Sequence, residues 1–254
     1  VSDFVIEGVS KQLKTSLNYS DGKLYLVVEG MREPGEVTWN GTADNSTWQQ
    51  AVSENFLYEG EASYMASGDD VIFNDDATST SVTISGAVSP KTVTFNNSTK
   101  DYTFSGDSIV AGAPITKNGA GTVTFNNFNH SGNTVINGGK VNVAMLANNS
   151  GQDWGSLGNS NSTITMGNGA TLVTNGTIIT DQRLYVSGET TIEVPTSKSV
   201  MFNKAIRDSG GNNSIVNKTG AGSMELGTIS NTFTRLVVKE GVVTSNYNTS
   251  NVES

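Results

Sequence analysis

An internal repeat limits what this chain can fold into more than any other feature of its sequence. The stretch Ile115–Val143, ITKNGAGTVTFNNFNHSGNTVINGGKVNV, returns about a hundred residues later as Ile215–Asn246, IVNKTGAGSMELGTISNTFTRLVVKEGVVTSN. In both copies, short runs of β-branched residues alternate with corners rich in glycine and asparagine. Such repeats are typical of stacked architectures, because each unit can bury its apolar side only against its neighbours.

The most specific shared element is a Lys-x-Gly-Ala-Gly corner. It occurs at Lys117–Gly121 and again at Lys218–Gly222, each time before a β-rich run. A second shared segment, Thr134–Val141, matches Leu236–Val243 with a shift of one residue, which indicates a change of loop length. Because each Gly-x-Gly precedes a strand and not a helix, these glycines are interpreted as corner residues and not as a phosphate-binding loop.

These motifs resemble a known family. Lys-x-Gly-Ala-Gly-(Thr/Ser)-hydrophobic-x-hydrophobic, followed by Ser-Gly-Asn-Thr-Val-Ile-Asn-Gly-Gly-Lys-Val, is similar to the autotransporter-associated β-strand repeat of bacterial surface proteins. Upstream, residues 37–48 (VTWNGTADNSTW) and 68–76 (GDDVIFNDD) resemble segments that precede such repeats. The resemblance covers residues 36–175 well and 215–244 loosely. It implies a right-handed parallel β-helix on an exported protein, outside the cell or at its surface, and it implies no particular activity.

The spacing of the β-rich runs independently predicts an all-β protein. Runs such as Val71–Phe73 and Thr92–Phe95 are short and separated by Asn, Asp, Gly and Ser clusters, a pattern of sandwiches, barrels and β-helices. Asp21-Gly22 between two β-compatible runs predicts a hairpin. The chain therefore divides into an N-terminal hairpin or cap segment, residues 1–35, and a β-helical repeat domain, residues 36–254. A helical turn is predicted only at Gln49–Phe56, and Ala144–Ser160 is predicted to be a loop.

Composition excludes several functions. The chain has no cysteine, which excludes disulfides, thiol catalysis and cysteine-ligated metals. A net charge of −9 argues against nucleic acid as a partner. No apolar run is long enough to span a bilayer, so direct membrane insertion is not predicted.

Candidate catalytic residues are few. His130 is the single histidine and is expected at an exposed corner, so a Ser-His-Asp triad or a histidine-rich zinc site is not favoured. Carboxylate chemistry remains for a hydrolase, with Asp208 and Asp21 as the candidate pair. Asp208-Ser-Gly resembles the Asp-(Ser/Thr)-Gly triplet of aspartic peptidases. However, Arg207 replaces the expected apolar residue, Asp21 is followed directly by glycine, and both patterns also occur in ordinary turns.

Two further groups are candidate binding residues. The aspartates Asp69, Asp70, Asp75 and Asp76 supply oxygen ligands for calcium, although they lack the ordered spacing of a calcium loop and otherwise cap strand ends in solvent. No other cofactor is predicted. Aromatic rings can form sugar-stacking platforms. Trp39 and Trp48 are expected to cap the core, which leaves Trp154 as the candidate platform.

Three functions remain open at this point. The first is an extracellular β-solenoid module of a bacterial surface or secreted protein, acting as an adhesive or structural scaffold. The second is a secreted hydrolase, either an aspartic-type peptidase or a glycan-degrading enzyme acting on a glycoprotein such as mucin. The third is a carbohydrate-binding module. All three place host or environmental glycans and glycoproteins among the expected partners.

Overall fold

The computed structural model describes residues 13–44, 46–126, 128–148, 150–151, 153–211, 213–245 and, for the backbone, 252–253. The first twelve residues of the predicted N-terminal segment and Asn246 of the second repeat copy lie outside this range. The described residues form only strands, turns and loops, and none of them forms a helix that could cross a membrane. The all-β prediction is confirmed.

The predicted N-terminal hairpin is present. Strands β1 (Leu13–Ser20) and β2 (Lys23–Met31) pair antiparallel around the Asp21-Gly22 turn, with a register shift between Lys14 and Thr15. Asp21 and Gly22 both have positive φ, as a two-residue hairpin turn requires. The two strands form a separate two-stranded sheet.

From residue 36 onward the chain winds into stacked coils, and corresponding strands of successive coils pair in parallel. Strands in the first position of each coil form a ten-stranded sheet, here called face 1. In chain order its strands are β3 (Glu36–Trp39), β5 (Phe56–Tyr58), β6 (Glu61–Ser63), β7 (Asp70–Phe73), β9 (Thr92–Phe95), β12 (Ile115–Lys117), β15 (Thr134–Ile136), β19 (Thr163–Met166), β22 (Arg183–Val186) and β25 (Ile206–Asp208). This arrangement confirms the parallel β-solenoid.

Strands in the second position form another ten-stranded sheet, called face 2. They are β4 (Thr47–Trp48), β8 (Ser81–Ile84), β10 (Tyr102–Gly106), β13 (Thr122–Phe125), β16 (Lys140–Val143), β20 (Thr171–Thr174), β23 (Glu189–Glu193), β26 (Ile215–Thr219), β28 (Arg235–Val238) and β30 (Val252–Glu253). Strands in the third position form face 3, which consists of two four-stranded sheets. The first contains β11 (Ser108–Ile109), β14 (Asn129–His130), β17 (Trp154–Gly155) and β18 (Gly158–Asn159), and the second contains β21 (Thr177–Thr180), β24 (Ser199–Phe202), β27 (Ser223–Leu226) and β29 (Val242–Ser245).

Strict alternation along each short strand builds the core. In β9, Val93 and Phe95 are buried whereas Thr92 and Thr94 are only partly buried, and the same pattern recurs in most strands of faces 1 and 2. Because equivalent residues stack coil on coil, the buried side chains form one continuous core from Val37 to Leu236. Burying such apolar surface is the main driving force for folding.

Aromatic side chains fill the first coils of this core. Phe73 and Phe95 stack with their ring centroids 5.1 Å apart, and Trp39 packs edge-on against Phe56 at 5.2 Å. Strands β5 and β6 pair antiparallel beside β3, so the three-residue strand β6 forms that edge of face 1, and such short edge strands offer few backbone groups for pairing with other chains. The expectation that Trp39 and Trp48 cap the core is confirmed, since neither is exposed.

Asparagine side chains stabilise the corner that follows face 1. The Nδ2 of Asn118 donates to Oδ1 of Asn96, and the Nδ2 of Asn137 donates to Oδ1 of Asn118, both at 2.8 Å. This ladder satisfies amide groups between successive coils. The helical turn predicted at Gln49–Phe56 is wrong: residues 50–52 form a turn and Phe56 begins β5, because its ring is drawn into the aromatic core.

Candidate functional site

The repeated Lys-x-Gly-Ala-Gly corner has a structural role that the sequence did not reveal. Lys117 at the end of β12 and Lys218 in β26 are both fully buried. The Nζ of Lys218 donates to the carbonyls of Thr219 (2.8 Å), Gly220 (2.6 Å) and Glu240 (3.0 Å). Glu240 precedes β29 in the next coil, so the ammonium group joins two stacked corners. Buried lysines are rare unless their ammonium is satisfied in this way.

Lys117 makes similar contacts in the first copy, but to the preceding coil instead of the next one. Its Nζ donates to the carbonyl of Gly119 in its own corner and, at 3.5 Å, to that of Asn97 in the preceding coil. Burial lowers the pKa of Lys117 to about 8, while the charges of Asp101 and Asp75 oppose the shift. The side chain is enclosed by carbonyl groups and therefore acts as an internal crosslink between corners.

A glycine of the next coil closes each corner. A Cβ at Gly139 would lie 2.3 Å from the carbonyl oxygen of Gly119, and one at Gly241 would lie 2.3 Å from that of Gly222. Both glycines also have positive φ, 68° and 81°. The two copies nevertheless occupy different positions, because the first corner joins face 1 to face 2 and the second joins face 2 to face 3. The motif therefore specifies a kind of corner and not a particular side of the solenoid.

His130 is buried in the structure, so the expectation of an exposed corner is wrong. It lies in β14, and Gly155 of the antiparallel strand β17 pairs directly with it. Its Nε2 lies 2.5 Å from the carbonyl oxygen of Ala113 and 3.2 Å from the backbone N of Gly132, so this ring nitrogen faces one acceptor and one donor. The other ring nitrogen, Nδ1, is buried and has no hydrogen-bond partner among the described residues. Burial lowers the pKa of His130 to about 4, and the hydrogen bond to Ala113 opposes this shift.

We predict that His130 makes folding sensitive to pH. The unfolded chain binds a proton near pH 6.5, whereas folded His130 binds it only near pH 4, so the unfolded state binds more protons between these values. The free energy of unfolding should therefore decrease as the pH is lowered, by about 2 kcal/mol from pH 7 to pH 5. Urea unfolding at both pH values measures the drop. In His130→Gln this part of the pH dependence should disappear, and an equal drop in the variant would contradict the assignment.

Asp208 stabilises a loop that follows face 1. Its carboxylate accepts hydrogen bonds from the backbone N–H groups of Gly210, Gly211, Asn213 and Ser214, and also from Ser214 Oγ at 2.7 Å. The Ser214 hydroxyl, followed by the N–H of Gly210, lowers the pKa of Asp208 to about 2. A carboxylate with this pKa remains ionised at neutral pH, whereas an aspartic dyad needs a shared proton.

The structure does not bring Asp21 into contact with Asp208. Asp21 lies at the exposed tip of the β1–β2 hairpin, where it accepts a hydrogen bond from Ser20 Oγ at 3.3 Å. Asp208 is the last residue of β25, which forms one edge of face 1. Strands β5 and β6 lie at the opposite edge of the same sheet. The catalytic pairing of these two residues stays a prediction for which the described residues give no supporting contact.

Asp69 is not a solvent-facing strand cap but a fully buried anchor. Its carboxylate binds Arg32 through two hydrogen bonds of 2.6 and 3.0 Å, and it also accepts the N–H groups of Gly35 (2.9 Å) and Ala66 (2.7 Å). The guanidinium of Arg32 lies over the ring of Tyr58, 4.1 Å from its centroid. This cluster joins the segment after the hairpin to the first coils.

The other three acidic residues are engaged by neighbouring side chains and backbone. Asp70 accepts a hydrogen bond from Thr92, which is the main cause of its lowered pKa, and Lys91 pairs with it at 3.1 Å. Asp75 accepts backbone N–H groups of residues 98–100 in the next coil, and Asp76 accepts the side-chain amide of Asn74. Within the described ranges no group of three or more Asp, Glu or His side chains could hold a metal. Calcium binding at Asp69, Asp70, Asp75 and Asp76 stays a prediction.

The predicted loop Ala144–Ser160 is folded onto face 3 in its described part. It contains the short antiparallel pair β17–β18, and Leu157 between these strands is fully buried. The carbonyl of Leu157 accepts hydrogen bonds from Thr134 Oγ1 and Gln182 Nε2, both at 3.1 Å. These bonds tie the loop to the coils on both sides of it.

Trp154 is the exposed aromatic residue of this loop. It begins β17, its backbone pairs with Asn159, and 46% of the residue is accessible to solvent. Further along face 3 there is a shallow groove of about 210 Å³. Its lining includes Thr177, Ile179, Ser199, Met201, Ser223 and Glu225. Face 3 therefore presents an aromatic ring on a firmly anchored loop, together with a shallow groove of hydroxyl and apolar groups.

Comparison with known proteins identifies no relative of this chain. No protein-family model, no curated protein and no solved structure matches this chain.

Proposed function

We propose that this chain is a scaffold module of an exported bacterial surface protein, and that it displays the loop 144–160 to bind glycans of host or environmental glycoproteins. The exported location rests on the resemblance of the repeat motifs to autotransporter-associated repeats. The glycan partner rests on one observation, the exposed ring of Trp154 on a loop that is tied to the core.

Two features of the molecule support a scaffold that presents this loop. The continuous core makes each coil depend on its neighbours, so the stack behaves as one body and not as separate units. A loop held by buried contacts, such as those of Leu157, loses little conformational freedom when a ligand binds. An exposed indole on such a support suits the apolar face of a sugar ring, which needs a flat, preorganised partner.

We predict that Trp154→Ala weakens glycan binding about tenfold or more, because the loss of one stacked indole removes the main apolar contact. A glycan array and an immobilised mucin-type glycoprotein first identify the ligand, and biolayer interferometry then gives the affinities. Val52→Ala is the control, since Val52 is 60% exposed but lies in the first coil, away from the loop. Equal affinity of Trp154→Ala and wild type would remove Trp154 from the binding site.

A further inference from the structure

The β1–β2 hairpin carries an apolar face that remains exposed. In the antiparallel register Leu17 lies opposite Leu26, Tyr19 opposite Leu24 and Thr15 opposite Val28, so these side chains project from the same side. Within the described structure Tyr19 is 64% exposed, Val28 55%, Leu26 47% and Leu24 42%. Such a continuous apolar surface is unusual on a protein with only 35% hydrophobic residues.

The opposite side of the same hairpin is more polar. Lys14 and Glu29 form an ion pair there at 3.3 Å, and Ser16 and Asn18 lie opposite Val27 and Tyr25, which are the apolar residues of this side. The hairpin is therefore amphipathic, with most of its charged groups collected on one side. A two-stranded hairpin is marginally stable in water unless its apolar side packs against another surface. The apolar side thus has the composition of a buried layer.

We propose that this apolar face packs against the same face of a second copy of the chain, forming a two-layer sandwich of hairpins related by a twofold axis. The face is uncharged and so is complementary to itself, whereas the chain as a whole carries a charge of −9 that keeps other surfaces of two copies apart. Its exposed side chains amount to roughly 500 Å² per copy, so a dimer buries roughly 1,000 Å², which is at the lower limit for a specific interface.

The attachment of the hairpin favours a defined dimer. Arg32 directly follows β2, and its bidentate contact with buried Asp69 fixes the point at which the hairpin meets the first coils. Two solenoids joined through their hairpins would then stand in one relative orientation, and each would keep face 3 with Trp154 free. Two linked copies would also bind a repeated glycan with higher avidity than one copy.

Analytical ultracentrifugation of the full chain tests this inference. An interface of this size predicts a dissociation constant in the micromolar range, so wild type should change from monomer to dimer between ~1 and ~200 µM. Leu26→Asp should weaken the dimer about a hundredfold, because it buries a carboxylate without a partner. Val27→Asp is the matched control, because Val27 is the next residue of β2 and its side chain projects from the opposite side of the hairpin; this variant should dimerise like wild type. Both sites are exposed, so circular dichroism should show equal folding.

Three results would overturn the proposal. Wild type could remain monomeric at the highest concentration. Leu26→Asp and Val27→Asp could dimerise equally, which would place the interface on another surface. A monomer that floats with phosphatidylcholine vesicles would assign the face to a lipid surface. A dimer lost only in Leu26→Asp would support the proposal, and because this variant leaves Trp154 intact, the result is independent of glycan binding by the monomer.

Discussion

Replacing Asp69 with alanine is expected to lower the free energy of unfolding by about 3–5 kcal/mol, a large part of the stability of a typical domain. The side chain of Asp69 is completely buried, and that of its partner Arg32 is only 10% exposed. Without the carboxylate, a guanidinium group would stay buried without a counter-charge, and the N–H groups of Gly35 and Ala66 would lose their acceptor. Urea unfolding followed by circular dichroism measures the change.

Two variants make this test specific. Asp70→Ala removes the neighbouring carboxylate, whose partner Lys91 is 68% exposed, and should cost less than about 1 kcal/mol. The double variant Arg32→Leu with Asp69→Leu removes both charges together and should be more stable than Asp69→Ala, because no buried charge is left unpaired. Equal losses for Asp69→Ala and Asp70→Ala would contradict the role of Asp69 as the anchor of the first coils.

The second large effect is expected for Gly139→Ala, with a loss of about 3 kcal/mol or more. Gly139 has a φ of 68°, and its added Cβ would lie within 2.6 Å of two carbonyl oxygens, those of Gly119 and Gly121, and 2.8 Å from Nζ of Lys117. The methyl group would therefore force apart the stacked corners that the buried lysine joins. Thermal and urea unfolding give the loss.

Gly169→Ala separates the backbone cost from the packing cost. Gly169 also lies in a corner and has a φ of 81°, but a Cβ there would have nothing within 4 Å, so only the backbone strain of about 1–2 kcal/mol should appear. Gly241→Ala should repeat the larger loss in the second copy, since its Cβ would lie 2.3 Å from Gly222 O. If Gly139→Ala and Gly169→Ala were equally stable, the corner would not depend on close stacking.

Local sequence pattern predicted the strands well. The predicted run Thr92–Phe95 has the same bounds as β9, and the strand that contains the predicted run Val71–Phe73 begins only one residue earlier, at Asp70. Such short strands depend on side-chain alternation and on the glycine and asparagine residues that interrupt them, and both are local features. The hairpin around Asp21-Gly22 was predictable for the same reason.

Features that depend on contacts between coils were not predictable. His130 pairs with strand β17, which belongs to a loop that begins fourteen residues later in the chain. Asp69 binds Arg32, which lies thirty-seven residues earlier. Likewise, the corner motif at Lys117 and Lys218 does not encode which face it joins, because each corner fixes only the turn between two strands. Stacking of coils decides these outcomes, and no local pattern records it.

The candidate site was predictable only as a list of exposed aromatic and acidic residues. Trp154 was recognised by its residue type, but its fixed position depends on Leu157, whose carbonyl binds residues from two other coils. Asp208 was recognised by its triplet, and the structure explains that triplet as a loop closed by Ser214. In this molecule the conspicuous glycine-rich motifs build the scaffold, and the proposed binding group lies outside them.

The glycan affinities of Trp154→Ala and Gly139→Ala test most directly whether the scaffold and the binding group are separate. Both are measured by biolayer interferometry at a temperature where the two variants are folded. We expect that Gly139→Ala, although less stable, binds like wild type, whereas Trp154→Ala keeps the wild-type melting temperature and binds about tenfold more weakly or worse. Failure of the wild-type chain to bind any glycan, or unchanged affinity in Trp154→Ala, would contradict this expectation.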